Sequence, residues 1–215
     1  MRAGIRVAIV TGMARTLRNR SVLATVGELD AALPGDDLLS APTARQTRIG
    51  TLTNAITIER PPHEVWPWIA QMGAGSRGGW YSYDFLDNRH YQSASRIVPE
   101  LQHLEIGTLF PALPGATDGF TVAAFEPERY LILEVKGGDG TRLVTWTFVL
   151  EPIGDHSTRL IVRARGSGGR VGRLIIPLVH FIMQRKQLLG IAKRAEAARD
   201  VRASHARPRC DAHAS

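Results

Sequence analysis

The segment Trp80-Tyr81-Ser82-Tyr83-Asp84 concentrates residue types that could do chemistry. Phenol hydroxyls and a carboxylate at the mouth of a cavity can orient the polar group of an otherwise apolar ligand. In a desolvated place, Asp84 would have a raised pKa and could act as a general base. Alternatively, the rings pack short helices onto a sheet and Asp84 caps the helix that follows. The sequence leaves both interpretations open.

His180 is the second candidate for proton transfer, within the apolar sequence Leu178 to Met183 of a long helical pattern. An imidazole that points into a cavity can donate or accept a proton near neutral pH. The alternative is a histidine with a structural hydrogen bond or one on the surface. Asp84 and His180 are therefore the predicted catalytic candidates.

Other chemistries find little support in the sequence. Gly73-Ala-Gly75-Ser-Arg-Gly78 matches the dinucleotide fingerprint, but that site needs a strand before it and a helix after it. Here a predicted helix precedes the glycines, so we expect a turn. The seven histidines include no pair three or four residues apart, and Cys210 is the only cysteine. We therefore expect no metal site and no cofactor.

The elements that must position these residues are mainly strands. Alternating apolar and polar residues predict strands at 51–59, 109–113, 120–125, 130–135, 143–150 and around Leu160 to Ala164. Two short helices are expected after the first strand, near 62–72 and 81–88. The inward strand positions are expected to line a cavity or to fill a core, and they are Phe120, Val122, Leu131, Leu133, Trp146 and Phe148.

The strands predict an antiparallel sheet packed on one side only. On the last strand, Arg159, Arg163 and Arg165 share the face opposite Leu160, so we expect them on a solvated outer face. From Val171 to about Ala198 runs the longest helical pattern, and it supplies the lid that such a sheet requires. The predicted organisation is a loosely structured arm at 1–50, one domain at 51–198 and a disordered basic tail at 199–215.

Composition bounds the function. The chain has 215 residues and a net charge of +7, which divides into +3 for residues 1–50, −3 for 51–165 and +7 for 166–215. The basic residues lie at the ends and not on one folded face, so we expect no nucleic-acid partner. Weak contact of these ends with an anionic membrane surface stays open. No apolar run is long enough to span a membrane, and we expect a cytoplasmic protein. The oligomeric state is not predicted.

Several blocks of the sequence carry a family resemblance. They are Pro61 to Gly73, Arg77 to Asp84, Arg96 to Gln102, Leu150-Glu151-Pro152 with Thr158-Arg159-Leu160, and His180 to Ile191. These blocks resemble a bacterial subgroup of the START/polyketide-cyclase/lipid-transfer (SRPBCC) superfamily. The resemblance covers about residues 50–197. It implies an α+β helix-grip fold, in which a curved antiparallel sheet of about seven strands wraps around a long C-terminal helix and an internal cavity.

The resemblance also implies a function. We expect the cavity to bind or transport a hydrophobic small molecule such as a lipid, a polyketide or an isoprenoid. The alternative is an enzyme of the polyketide cyclase or dehydratase type that uses the same cavity. Besides the two proton-transfer candidates, the expected ligand-binding residues are Trp80, Tyr81, Tyr83, Phe120, Val122, Leu131, Leu133, Trp146, Phe148 and Met183.

Overall fold

A computed structural model of the chain describes residues 20–39, 47–168 and 172–205, with side chains at 20–39, 50–166 and 181–198. The helices are α1 (Val26–Asp30), α2 (Pro62–Ala70), α3 (Asp84–Asp87) and α4 (Gly172–His205), with a 3-10 turn at Pro99–Leu101. The strands are β1 (Thr47–Ile58), β2 (Leu109–Pro111), β3 (Gly119–Glu126), β4 (Tyr130–Lys136), β5 (Arg142–Ile153) and β6 (Ser157–Gly168).

The strands form one antiparallel sheet in the order β1-β6-β5-β4-β3-β2. Its register shifts in β1, β3 and at the end of β4, and such bulges bend a sheet. The expectation of about seven strands is wrong by one. Between α3 and β2 the described chain forms the 3-10 turn and loops in place of a further strand.

The inner face of the sheet packs on α4 and α2. One core cluster joins inward residues of β1, β4, β5 and β6 to Leu188, Ile191, Ala192 and Ala195 of the long helix. The alternation of apolar residues places them on this face, because successive side chains of a strand point to opposite sides. The predicted helix-grip architecture, with two short helices after the first strand, is confirmed.

The outer face is not solvated where the arginines lie, so that expectation is wrong. Residues 20–39 cover it, and a second apolar cluster forms there from Leu33, Ala55, Val149 and Ile161. Arg163 is only 4% exposed because its guanidinium group donates to carbonyl and carboxylate oxygens of the covering segment. Helix α1 in this segment begins at a capping box formed by Thr25 and Glu28.

Two elements of the fold extend beyond the expected boundaries at residues 51 and 198. Strand β1 begins at Thr47, because β6 continues to Gly168 and offers pairing partners along this length. Helix α4 continues to His205, into the stretch that was expected to be a disordered tail. The remaining parts of the arm and tail, 1–19, 40–46 and 206–215, lie outside the described residues.

Candidate ligand-binding site

A cavity of about 280 Å³ lies between the inner face of the sheet, the segment 80–87 and helix α4. Its lining comes from every one of these elements. The residues are Gly50, Leu52, Trp80, Ser82, Asp87, Ala112, Phe120, Val144, Trp146, Ala164, Arg165, Gly166, Met183, Gln184 and Gln187. Most of this lining is apolar, and the few polar groups are therefore the ones that could orient a ligand.

Three aromatic side chains form the wall of the cavity. The rings of Trp80 and Trp146 are stacked with centroids 5.5 Å apart, and Phe120 lies 5.7 Å from the first and 5.1 Å from the second. These spacings are those of favourable aromatic pairs. Because Trp146 also lies 5.1 Å from Phe148 in the core, the wall is continuous with the packed interior.

A chain of amide hydrogen bonds fixes the wall to the helix. The Trp146 Nε1–H donates to Gln184 Oε1 at 3.0 Å, and Gln184 Nε2 donates to Gln187 Oε1 at 2.7 Å. Gln187 Nε2 in turn approaches the sulfur of Met72 at 3.6 Å. Residues three apart on a helix share a face, so both amides point to the cavity side of α4. The side chains of Gln184 and Gln187 therefore form a polar strip on the α4 side of an otherwise apolar cavity.

Close backbone contact with α4 positions the segment that carries Trp80 and Ser82. A Cβ added at Gly190 would lie 2.3 Å from the Tyr81 carbonyl oxygen, so only glycine permits this approach. Tyr81 has a positive φ of 59°, and its N–H donates to Ser93 Oγ at 3.1 Å. The Ser82 hydroxyl donates to the Met183 carbonyl oxygen at 3.2 Å. These contacts hold the segment at the rim of the cavity.

Asp87 is the unusual polar group of the lining. Its side chain is 7% exposed, and neither carboxylate oxygen has a well-formed hydrogen bond among the described residues. Burial, and then the nearby charge of Asp84, raise the pKa of Asp87 to about 6, although Ser82 and backbone groups partly oppose the shift. A carboxyl group of this kind, on the wall of an apolar cavity, could transfer a proton or bind a polar group of a ligand.

The structure places the predicted catalytic candidate Asp84 outside the cavity lining. Its carboxylate accepts hydrogen bonds from the Ser93 N–H at 3.1 Å and from the Ser93 hydroxyl at 2.5 Å. Tyr83, and not Asp84, occupies the N-cap position of α3. Asp84 therefore fastens the loop after α3. The other catalytic candidate, His180, lies in α4 with its side chain outside the described residues.

The predicted ligand-binding residues divide into three groups. Trp80, Phe120, Trp146 and Met183 line the cavity. Val122, Leu131, Leu133 and Phe148 lie behind it in the packed core. Two tyrosines lie elsewhere. Tyr81 is buried with its ring 6.1 Å from Trp68 and beneath the Arg194 guanidinium, whereas Tyr83 contacts Phe85 and Lys186.

Sequence reasoning missed the polar lining of Asp87, Gln184 and Gln187. A signal for the glutamines was present, since two amides three residues apart follow an apolar stretch of the long helix. The sequence signal for Asp87 was weaker. Asp84 lies three residues before it, and the sequence does not show which of the two carboxyl groups faces inward. In the described part of the chain no cluster of three or more metal-ligating side chains occurs. None of the described helices combines the length and apolarity that crossing a bilayer requires.

Comparison with known proteins gives likenesses in structure. No protein-family model matches the chain, and no curated protein does. The polyketide-cyclase-like protein from Corynebacterium glutamicum is 17% identical, with a TM-score of 0.35, over 74% of this chain and 96% of that one. Norcoclaurine synthase from Thalictrum flavum is 14% identical, with a TM-score of 0.39, over 76% and 96%. CalU16 from Micromonospora echinospora is 12% identical, with a TM-score of 0.37, over 73% and 96%.

The strand order, the inward core and the long helix decide the fold. The chain has a helix-grip fold, in which a six-stranded antiparallel sheet packs on one long C-terminal helix. Structures at such low identity resemble it in fold alone.

Proposed function

We propose that this helix-grip protein binds a hydrophobic small molecule in the cavity between its sheet and α4. The observation that carries the proposal is the cavity of about 280 Å³ with its wall of Trp80, Phe120 and Trp146. The pocket is partly open to solvent, so its aromatic wall leaves apolar surface in contact with water that a bound ligand would cover. A small apolar ligand would gain roughly 25 cal/mol for each Å² of apolar surface that it removes from water.

A variant that fills the cavity tests the proposal. Ala164 lies on β6 among the lining residues, and a leucine there would occupy part of the space. We expect Ala164→Leu to weaken the uptake of a neutral naphthalene probe, measured by fluorescence, at least tenfold. Ala197→Leu, on an exposed position of α4, is the matched control and should leave uptake unchanged. No uptake by the parent protein, or equal uptake by both variants, contradicts the proposal.

A second candidate function is acid–base catalysis in the same cavity, as in a polyketide cyclase or dehydratase. Asp87 favours it, since a carboxyl group whose pKa is raised to about 6 can both accept and return a proton near neutral pH. General acid–base help is worth about 10²–10⁴ in rate. If the protein turns over a ligand that it binds, Asp87→Asn should lose at least about a hundredfold in kcat while the affinity stays similar. Unchanged turnover in this variant would exclude Asp87 as the proton-transfer group.

A further inference from the structure

The cavity contains a charge that the described protein does not compensate. Among the described residues neither buried oxygen of Asp87 has a well-formed hydrogen bond, although Ser82 and nearby backbone groups partly favour its ionised form; a buried carboxylate normally has a cation or several donors beside it. In the described part of the chain, three cations of the surrounding elements have other contacts. Arg165 donates to Asp36 on the outer face, and Arg194 donates to the carbonyl oxygens of Ser93, Ala94 and Gly190. The Lys186 ammonium group lies 5.8 Å from the ring centroid of Tyr83.

The aromatic wall lines the same cavity as this carboxylate. Tryptophan and phenylalanine faces attract ammonium groups, and the attraction grows when water is excluded. Here Trp80, Trp146 and Phe120 lie in mutual contact on one side of a small space whose lining includes Asp87. An aromatic wall together with an uncompensated carboxylate is suited to an organic cation.

We propose that the ligand of this cavity carries an ammonium group, which pairs with Asp87 while its apolar part packs on the wall of Trp80, Phe120 and Trp146. The inference rests on the proposed binding function and narrows it to small hydrophobic amines. The volume favours a small ligand, since about 280 Å³ is just below the roughly 300–1,000 Å³ of ordinary small-molecule pockets. The amides of Gln184 and Gln187 line the same cavity, and each amide oxygen already accepts one hydrogen bond.

Probes of matched shape and different charge test the inference. Naphthylethylammonium and propylnaphthalene differ in one terminal group, which is charged in the first and a methyl in the second. Naphthylpropanoate gives the opposite charge. At neutral pH we expect the parent protein to bind the ammonium probe at least tenfold tighter than the neutral one, and to bind the anion weakest. Titration calorimetry measures all three affinities.

Two variants locate the preference. Asp87→Asn should reduce the affinity for the ammonium probe at least tenfold and leave that for propylnaphthalene within twofold, because the shape of the cavity is kept. Asp155→Asn removes an exposed carboxylate in the turn between β5 and β6, and it should keep the parent's preference. Circular dichroism confirms that each variant is folded. If Asp87→Asn does not fold, the comparison of probes in the parent protein still decides the inference.

The outcomes separate the two proposals. Tight binding of propylnaphthalene without any preference for the ammonium probe, or a preference that survives Asp87→Asn, overturns the inference and leaves the binding function in place. If none of the three probes binds, the binding function fails and the inference fails with it.

Discussion

The pKa values of two carboxyl groups are shifted in opposite directions on the two sides of the sheet. On the outer face, hydrogen bonds from the Arg159 guanidinium, with further help from Thr25, lower the pKa of Glu28 to about 2 against the effect of burial. On the inner side, burial and the neighbouring Asp84 raise the pKa of Asp87 to about 6. The ionised form is therefore stabilised on one face and destabilised on the other.

The outer face is a charged interface in which the buried polar groups have partners. Arg163 donates to Thr53 Oγ1, to Asp36 Oδ2 and to the backbone oxygens of Glu28, Leu29 and Ala31. Arg159 bonds both carboxylate oxygens of Glu28. Such a network fixes a covering segment to a sheet, and its charges are not available to a ligand. We interpret the outer face as structural.

On the inner side the Asp87 carboxylate has no well-formed hydrogen bond among the described residues, and aromatic rings border the cavity beside it. An unsatisfied buried charge costs stability, so we interpret the Asp87 carboxylate as directed at a ligand. The comparison therefore distinguishes structural charge, which is paired, from ligand-directed charge, which is not. The following predictions test this distinction, from the largest expected effect to the smallest.

The largest effect is expected from breaking the outer network. Arg163→Ala removes five hydrogen bonds at a side chain that is 4% exposed, and it leaves Asp36 and several carbonyl oxygens without this partner. Removing one partner of a buried pair costs about 3–5 kcal/mol. Denaturant unfolding should show a loss in this range, while the affinity of the cavity for a neutral probe changes little.

Arg129→Ala is the matched control, since this arginine pairs with Glu126 but its side chain is 70% exposed. An exposed ion pair is worth at most about 1 kcal/mol. Equal losses in the two variants would show that the outer network does not hold the covering segment.

The arginine network illustrates what the sequence could and could not predict. The alternation of Arg159, Leu160, Ile161, Val162 and Arg163 correctly predicted a strand with two different faces. It did not reveal which segment covers the polar face, because that partner lies more than a hundred residues away and has no apolar periodicity of its own. The spacing of apolar residues along a strand determines which side chains share a face of the sheet. The packing of distant segments decides what each face contacts.

The candidate site shows the same division. Phe120 and Trp146 of the aromatic wall were predicted from the alternation of apolar and polar residues in the sequences of β3 and β5, because a large ring at an inward position must border the core or a cavity. Trp80 was predicted from the aromatic cluster that it begins. The choice between Asp84 and Asp87 was not predictable. Both lie on the four-residue helix α3, and the hydrogen bonds of the later Ser93 decide which of the two is turned away.

The second prediction compares two neighbouring inward residues of β5. Phe148 is fully buried in the core, so Phe148→Ala should cost about 3–5 kcal/mol. Trp146 is half-buried, so its truncation removes less buried apolar surface, but it also leaves the buried Gln184 Oε1 without its donor, and we expect a cost about 1 kcal/mol less than for Phe148→Ala. Only Trp146→Ala should alter the affinity for a neutral probe. Equal losses in unfolding free energy would indicate that Trp146 is ordinary core.

The third prediction concerns the close contact between α4 and the cavity rim. In Gly190→Ala the new methyl group would meet the Tyr81 carbonyl oxygen, and the segment that carries Trp80 and Ser82 would have to shift. Overpacking of this kind costs about 1–3 kcal/mol, and ligand affinity should fall with it.

Gly27→Ala provides the comparison for this third change, because Gly27 lies in α1 with no atom near its added Cβ. There the methyl group should stabilise the helix by up to about 1 kcal/mol. A neutral effect of Gly190→Ala on both stability and affinity would mean that the rim does not depend on this contact.

The smallest effect, and the sharpest test of the comparison, is the pH dependence of the two carboxyl groups. The folded-state pKa of Asp87 is raised from 3.8 to about 6, so its ionisation opposes folding above pH 6. As the pH falls from about 6 to 4, the folded protein takes up a proton that the unfolded chain does not, and this penalty disappears. Asp87→Asn should therefore stabilise the protein by about 1–2 kcal/mol near pH 7.5 and by nothing near pH 4.

Glu28 should respond with the opposite sign. Its folded-state pKa is lowered from 4.5 to about 2, so its ionisation favours folding at neutral pH, and this contribution is lost as the pH falls through that interval. Glu28→Gln should destabilise the protein near pH 7.5, and the difference should shrink below about pH 4. Each variant must be compared with the parent at the same pH, because other carboxyl groups titrate in acid as well. If both substitutions destabilise at neutral pH, Asp87 has a partner in solution, and its carboxylate belongs with the paired charges of the outer face.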